Sequence, residues 1–534
     1  MKFSSIFWRQ TGGIVLGLCV ALILLFACGE TPIAPTPSQA ATEETNLPSP
    51  EPDNLPSLQT AIPLSGTMPV DVDSDTLSKL NFDTQLPEAQ RIFDEFAWQM
   101  FIALNWPANP DGTPDTTASI ADLDLPRVWE YYRETSTVFL TDGSAPAPWD
   151  PSQATPGLRK LSQTSKILNV NHPTGQLLDE SLQAFTGPLV DQNGNWAYYE
   201  VLMNETEFDY ILKNELYNQE GQVLFTANNL IDFPANTDDT PGSIELKFAW
   251  KILADNDIPD RFFTIEANIA VPQYDADGNR LDPIEQTERV GLVGMHIAVR
   301  TESAPEWIWA TFEQVDNIQA NSLETGTAVN GDEVPLRPNF NNPNTPVKAV
   351  NTLPPKNALP GPVIDANGQV ATGFTGWDPA KTTDPTQLLR VVPIPKETQA
   401  LNAEVQAKLA EADSVFQYYE LVGTQWPINP NFPAFPGGVI HYPGSNPNGE
   451  TTSPESLIYK SPGKMVPVLL TNMTMESFFQ QGNQVPGGAE RDDRLPASTG
   501  NGVQDPTGLI FYTESCVGCH YSAGAAIGFK VDES

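Results

Sequence analysis

Apolar positions along the chain fall into two periods. From Pro87 onward, Phe93, Phe96, Ala97, Met100 and Leu104 recur every three or four residues, which predicts a helix with one buried face, ended by Trp106-Pro107. Pro395 opens a second such stretch, with Leu401, Val405, Leu409, Ala412, Phe416 and Tyr419 as a single stripe. A shorter helix is expected over Arg127–Arg133, with Val128, Trp129 and Tyr132 inward, and another over Thr471–Gln480, with Met475, Phe478 and Phe479 on one face. Between these the period drops to two. Ile244, Leu246, Phe248, Trp250 and Ile252 alternate with Glu245, Lys247, Ala249 and Lys251, as in a strand buried on one face. Gly291 to Val299 is apolar almost throughout and reads as a central strand, followed by another at Trp307–Phe312.

Turn chemistry separates the strands. Asp191–Asn195, Asn218–Gln222, Asp275–Asn279 and Asp365–Gln369 each place an acidic or amide residue shortly before a glycine, the composition of hairpin turns. The expected fold is α+β: a mainly antiparallel β-sheet domain with several helices and long Pro-rich loops, closed by a C-terminal helix. The chain divides into an export signal (1–28), a Pro-rich tether (29–75), a β-rich domain (76–327), a Pro/Asn-rich connecting segment (328–395) and a helical or irregular C-terminal region (396–534). The connecting segment is either a linker or an excursion packed along the β-rich domain.

Composition narrows the partners. Twenty-eight Lys and Arg against 67 Asp and Glu leave a formal charge of −39, which repels phosphate backbones and excludes nucleic acid as a partner. The same field favours a basic protein partner.

The four cysteines carry the chemistry. Cys19 and Cys28 lie in the amino-terminal leader, Cys516 and Cys519 near the carboxyl end, and none lies between Cys28 and Cys516. Lys2 and Arg9 precede an apolar run from Ile14 to Ala27, shorter than a membrane-spanning helix prefers. That run ends in Leu25-Phe26-Ala27-Cys28, which resembles the lipobox of bacterial lipoproteins and makes Cys28 the candidate lipidation site; a retained anchor helix is the alternative. Both place the chain outside the cytoplasm and on a membrane, by a lipid anchor or by its N-terminal segment.

Cys516-Val517-Gly518-Cys519-His520 is the C-x-x-C-H attachment sequence for one covalent haem c. The two thiols bond the haem edge, and His520 follows immediately to serve as the proximal iron ligand. Gly508 and Tyr512 precede Cys516 by eight and four residues, an arrangement similar to the haem helix of class I cytochromes c. A thioredoxin-like pair would need a surrounding βαβ pattern, and a zinc site a second ligand pair; the sequence has neither. Only Tyr521 to Ser534 follow, without Met or His, so cover for the haem and any distal ligand must come from upstream. Met475 and His296 are the distal candidates, with an open or water-bound iron as the alternative; His296 is expected to share a sheet face with Gly294, where a flat ring would have room.

The strings Gly291-Leu292-Val293-Gly294-Met295-His296-Ile297, Glu306–Glu313 and Thr471-Asn472-Met473-Thr474-Met475-Glu476, with the terminal C-x-x-C-H, resemble a bacterial family labelled cytochrome c family proteins, from about residue 90 to the end. The resemblance implies haem c binding and electron transfer to a redox partner protein, and names no substrate. The expected function is an extracytoplasmic, membrane-anchored monohaem electron carrier rather than a defined catalyst. Its rivals are a peroxidase-like or other haem c oxidoreductase and a haem-containing ligand-binding sensor, motivated by a chain far longer than carriage needs.

Overall fold

A computed structural model describes residues 62–161, 189–274, 280–351, 385–428 and 465–477, a few single positions excepted, with Cys516 and some short strand pairs beyond residue 428. The signal, Cys28 and the tether up to residue 61 lie outside the described residues. Among those described, no helix is long and apolar enough to cross a membrane.

A nine-stranded sheet organises the chain. Its strands are β1 (Arg133–Glu134), β2 (Leu158–Leu161), β3 (Ala197–Met203), β4 (Ile244–Ile252), β5 (Thr264–Tyr274), β6 (Arg280–Val299), β7 (Ile308–Gln314), β8 (Tyr419–Pro427) and β9 (Met465–Val466). The main order is β1-β3-β4-β6-β7-β8-β9, and every pairing on that path is antiparallel. The long strand β6 pairs with β4 along one edge and serves two neighbours in turn on the other: its first half pairs with β5, and Gly294–Val299 pairs with β7. The short β2 adds to β5 in parallel. The α+β expectation holds in this form.

Helices α1 (Leu86–Leu104) and α2 (Lys396–Glu411) pack on one face of the sheet. Pro87 sits in the first turn of α1, where a missing N–H costs nothing. Its apolar stripe meets aromatic residues of the sheet: Phe93 stacks on Trp426 and Phe101 on Phe312, each with ring centroids 4.3 Å apart. Such fully buried side chains contribute roughly 1.5–3 kcal/mol apiece. Asn402 of α2 knits the layer, its Oδ1 accepting from Trp98 Nε1 (3.0 Å) and Leu421 N (3.2 Å) while its amide donates to the Leu421 carbonyl. Strand β8, which follows the connecting segment, thus completes the same sheet and core as the strands before it. The described parts of that segment lie along the sheet's other face, where Phe340 and Leu388 are fully buried.

Three local expectations change. The stripe from Leu401 to Tyr419 is not one helix: α2 ends at Glu411, Asp413 takes a left-handed φ of 57°, a 3-10 turn spans Val415–Tyr418, and Tyr419 opens β8. Tyr419 is buried because it is a strand residue, its hydroxyl donating to Leu292 O (2.9 Å) and accepting from Phe263 N (3.0 Å). Asn218–Gln222 is not a hairpin turn but the start of the helix Gln219–Thr226, with Asn218 Oδ1 accepting from Gly221 N. Within Arg127–Arg133 the expected short helix is a single 3-10 helix over Val128–Tyr131, with Val128 and Trp129 buried as expected and Tyr131 buried in the place given to Tyr132. Asp191–Asn195 is a turn as expected, Gly194 supplying a φ of 87° and Val190 bridging Trp196. The Asp275–Asn279 and Asp365–Gln369 turns lie outside the described residues, although Tyr274 pairs with Arg280 across the former.

Candidate functional site

The sheet face away from α1 and α2 carries polar side chains beside a smaller apolar cluster. Because Phe248, Met295, Phe312 and Leu421 point into the aromatic core, the residues alternating with them point to the other side. Register aligns them in two rows across the strands. One row runs Tyr199, Ala249, Gly294, Glu313, Glu420; the next runs Lys247, His296, Thr311, Gly423. Ala249, Gly294 and Gly423 leave a shallow trough between the longer side chains.

The segment 470–477 fills that trough. Leu470 lies over Gly423, its Cδ1 3.1 Å from where a Cβ would stand, and Thr474 Oγ1 takes the Cβ place of Gly294. Asn472 Nδ2 donates to Thr311 Oγ1 (2.8 Å) and the Phe312 carbonyl (2.9 Å), Met473 N donates to Glu313 Oε1 (2.7 Å), and the Tyr199 hydroxyl donates to Thr474 O (2.7 Å). Burial, reinforced by Glu476, raises the Tyr199 phenol well above its ordinary range, so it is a fixed donor. Glu476 Oε2 accepts from Asn472 N (3.0 Å) and its Oε1 lies 3.0 Å from His296 Nε2. With that carboxylate ionised, Nε2 carries the hydrogen. Arg390 donates to Thr471 O (3.3 Å) and sets its other terminal nitrogen 2.8 Å from Glu313 Oε2.

No helix forms over 471–477, contrary to the periodicity. Asn472 Oδ1 accepts from both Thr474 N (2.8 Å) and Thr474 Oγ1 (2.7 Å), a local pattern that competes with helical hydrogen bonding.

The structure places His296 on the Gly294 face, as its alternation implied, but Thr474 occupies the room expected beside it. Met475 is buried in a cluster with Met473, Val293, Phe340 and Leu388. Cys516 is half-buried, is not in a disulfide, and packs against Ile394, Val422 and Leu470. A β-bulge makes that contact: register slips between Leu421 and Gly423, so Val422 is the extra residue and turns out of the aromatic core. Cys519, His520 and the Gly508–Tyr512 approach to the motif have no described side chains. Among the described residues no three His, Cys, Asp or Glu side chains converge to hold a metal ion.

Sequence reasoning missed Glu313, Glu420 and Arg390. The signal was a glutamate inside each of two apolar strands, Ala310-Thr311-Phe312-Glu313 and Tyr419-Glu420-Leu421-Val422. Burial pushes the Glu420 carboxyl up to about 7; Glu313, directly opposite, adds to this and Arg390 opposes it.

Compared with known proteins, the chain matches no family model, no curated protein and no solved structure.

Proposed function

We propose that this chain is an extracytoplasmic, lipid-anchored monohaem c protein that transfers single electrons. The observation that carries the reading is the C-x-x-C-H sequence at Cys516–His520, whose first thiol rests on the apolar cluster of Ile394, Val422 and Leu470. A thiol on an apolar platform suits the covalent tether of a large apolar macrocycle, and a bound haem c supplies one iron that changes by one electron. Cys516 and Cys519 would hold it, His520 would be the proximal ligand, and the platform residues would keep water from its edge. Met475 or His296 would supply the far side, Met475 by leaving its buried cluster and His296 by exchanging Glu476 for the iron. Cys28 would carry the lipid and a basic redox protein would dock on the acidic surface.

Visible spectra of the purified protein with and without carbon monoxide, joined to a redox titration, test the function. A six-coordinate iron indifferent to carbon monoxide, titrating reversibly as one electron, is expected; substitution of the true distal ligand, Met475→Leu or His296→Phe, should open the iron to carbon monoxide. Binding by the wild type would favour the enzyme or sensor. Fatty-acid labelling should mark the wild type and not Cys28→Ala.

A further inference from the structure

We propose that the Glu313–Glu420 carboxylate pair takes up one proton when the haem carried by Cys516 is reduced. The proposal rests on the haem reading above and adds to it a proton-linked electron affinity.

Geometry carries it. Glu420 and Glu313 are directly opposite on β8 and β7, where like charges repel. Arg390, ahead of α2, is the guanidinium that faces them. Glu313 has both oxygens engaged, Oε1 by Met473 N and Oε2 by Arg390, whereas the Glu420 carboxyl makes no hydrogen bond among the described residues. Two carboxylates and one guanidinium leave a single negative charge that one proton cancels. Glu476, on the covering segment, is turned to His296 in the neighbouring row, with Lys247 beyond it. Glu420 is therefore the carboxylate left open to a proton, and burial already holds its carboxyl at about 7.

The link to Cys516 runs through one residue of the bulge. Val422 stands two residues from Glu420, and the bulge aims it at the cluster on which Cys516 lies. An electron arriving from a one-electron donor protein would take ferric iron to ferrous iron and remove one positive charge from the haem that Cys516 would hold. The Glu420 carboxylate then binds a proton from water, forming an O–H bond. On oxidation the electron passes to the acceptor and the proton returns to water. Because the two affinities are reciprocal, protonation of Glu420 must raise the electron affinity of the haem by the same factor.

The test is the midpoint potential of the full-length holoprotein, followed optically at an electrode between about pH 5 and pH 9, across the range where a carboxyl so placed titrates. The wild-type potential should fall as pH rises, with the fall centred near neutrality; a tenfold difference in proton affinity between the two oxidation states gives about 59 mV. Glu420→Gln should lose the fall and rest at the acid plateau, while Glu285→Gln, at an exposed glutamate paired with Lys160, should keep it. A flat wild-type potential, or a fall that persists in Glu420→Gln, overturns the proposal. Should Glu420→Gln fail to fold, infrared difference spectra of the wild type serve: a protonated-carboxyl band must appear on reduction, and its absence overturns the coupling. Failure of the haem reading looks different, since a protein without a covalent haem spectrum has no potential to titrate.

Discussion

Thr474 Oγ1 lies 2.1 Å from where a Cβ on Gly294 would stand, too close for both. The central strand and the segment that covers it thus fit by the absence of one methyl group.

Gly294→Ala should therefore cost about 1–3 kcal/mol by overpacking. Part of the loss should return in the double variant with Thr474→Ala, because the two groups contend for one space. Denaturant unfolding of the four proteins in the cycle checks it. Additive effects would mean that the segment does not seat on Gly294.

Stability should depend on pH through Asp94. This carboxyl is buried between α1 and α2, accepts from Gln90 Nε2 (2.8 Å) and Thr398 Oγ1 (2.7 Å), and burial raises it from 3.8 to about 6. The folded chain holds the proton more tightly than the unfolded one. Its stabilising contribution is therefore complete below about pH 4 and is lost as pH rises through about 6. The stability of wild type relative to Asp94→Asn should fall by about 3 kcal/mol between about pH 4 and pH 8. Parallel pH profiles for the two proteins would contradict this placement of Asp94.

Lys251 is a buried ammonium held by acids. Its Nζ lies 2.8 Å from Asp257, 3.4 Å from Asp191 and 3.3 Å from Asn339 Oδ1. Lys251→Met should destabilise by about 3–5 kcal/mol, since it strands two buried carboxylates. Adding Asp191→Asn and Asp257→Asn should recover most of that. Thermal unfolding of the single and triple variants gives the answer, and an unrecovered triple variant would count against an ionic role for Lys251.

What the sequence made legible follows from which forces are local. Alternation from Ile244 to Ile252 and the stripe from Phe93 to Leu104 announce their own burial, so β4 and α1 were readable from period alone. Tyr419 was misread because its position on a helical stripe is accidental: the left-handed Asp413 breaks the helix first. Thr471–Ser477 was misread because Asn472 bonds Thr474 locally and its amide is held by the distant Thr311 and Phe312, and no window of neighbouring residues contains the second part. At the candidate site, the Cys516 motif is a stretch of consecutive residues, whereas its platform is not. Ile394, Val422 and Leu470 come together through a bulge and three separate stretches of chain, and the pairing of Glu420 with Glu313 depends on β8 returning to β7 across more than a hundred residues.

A haem stain of the purified protein on a denaturing gel decides whether Cys516 and Cys519 carry covalent haem. The wild type should stain at its own mass, and Cys516→Ser/Cys519→Ser should be unstained at the same protein load. A folded wild-type protein that takes no stain when produced in a host that makes c-type haem, or a double variant that stains as strongly, would rule out covalent haem on these cysteines.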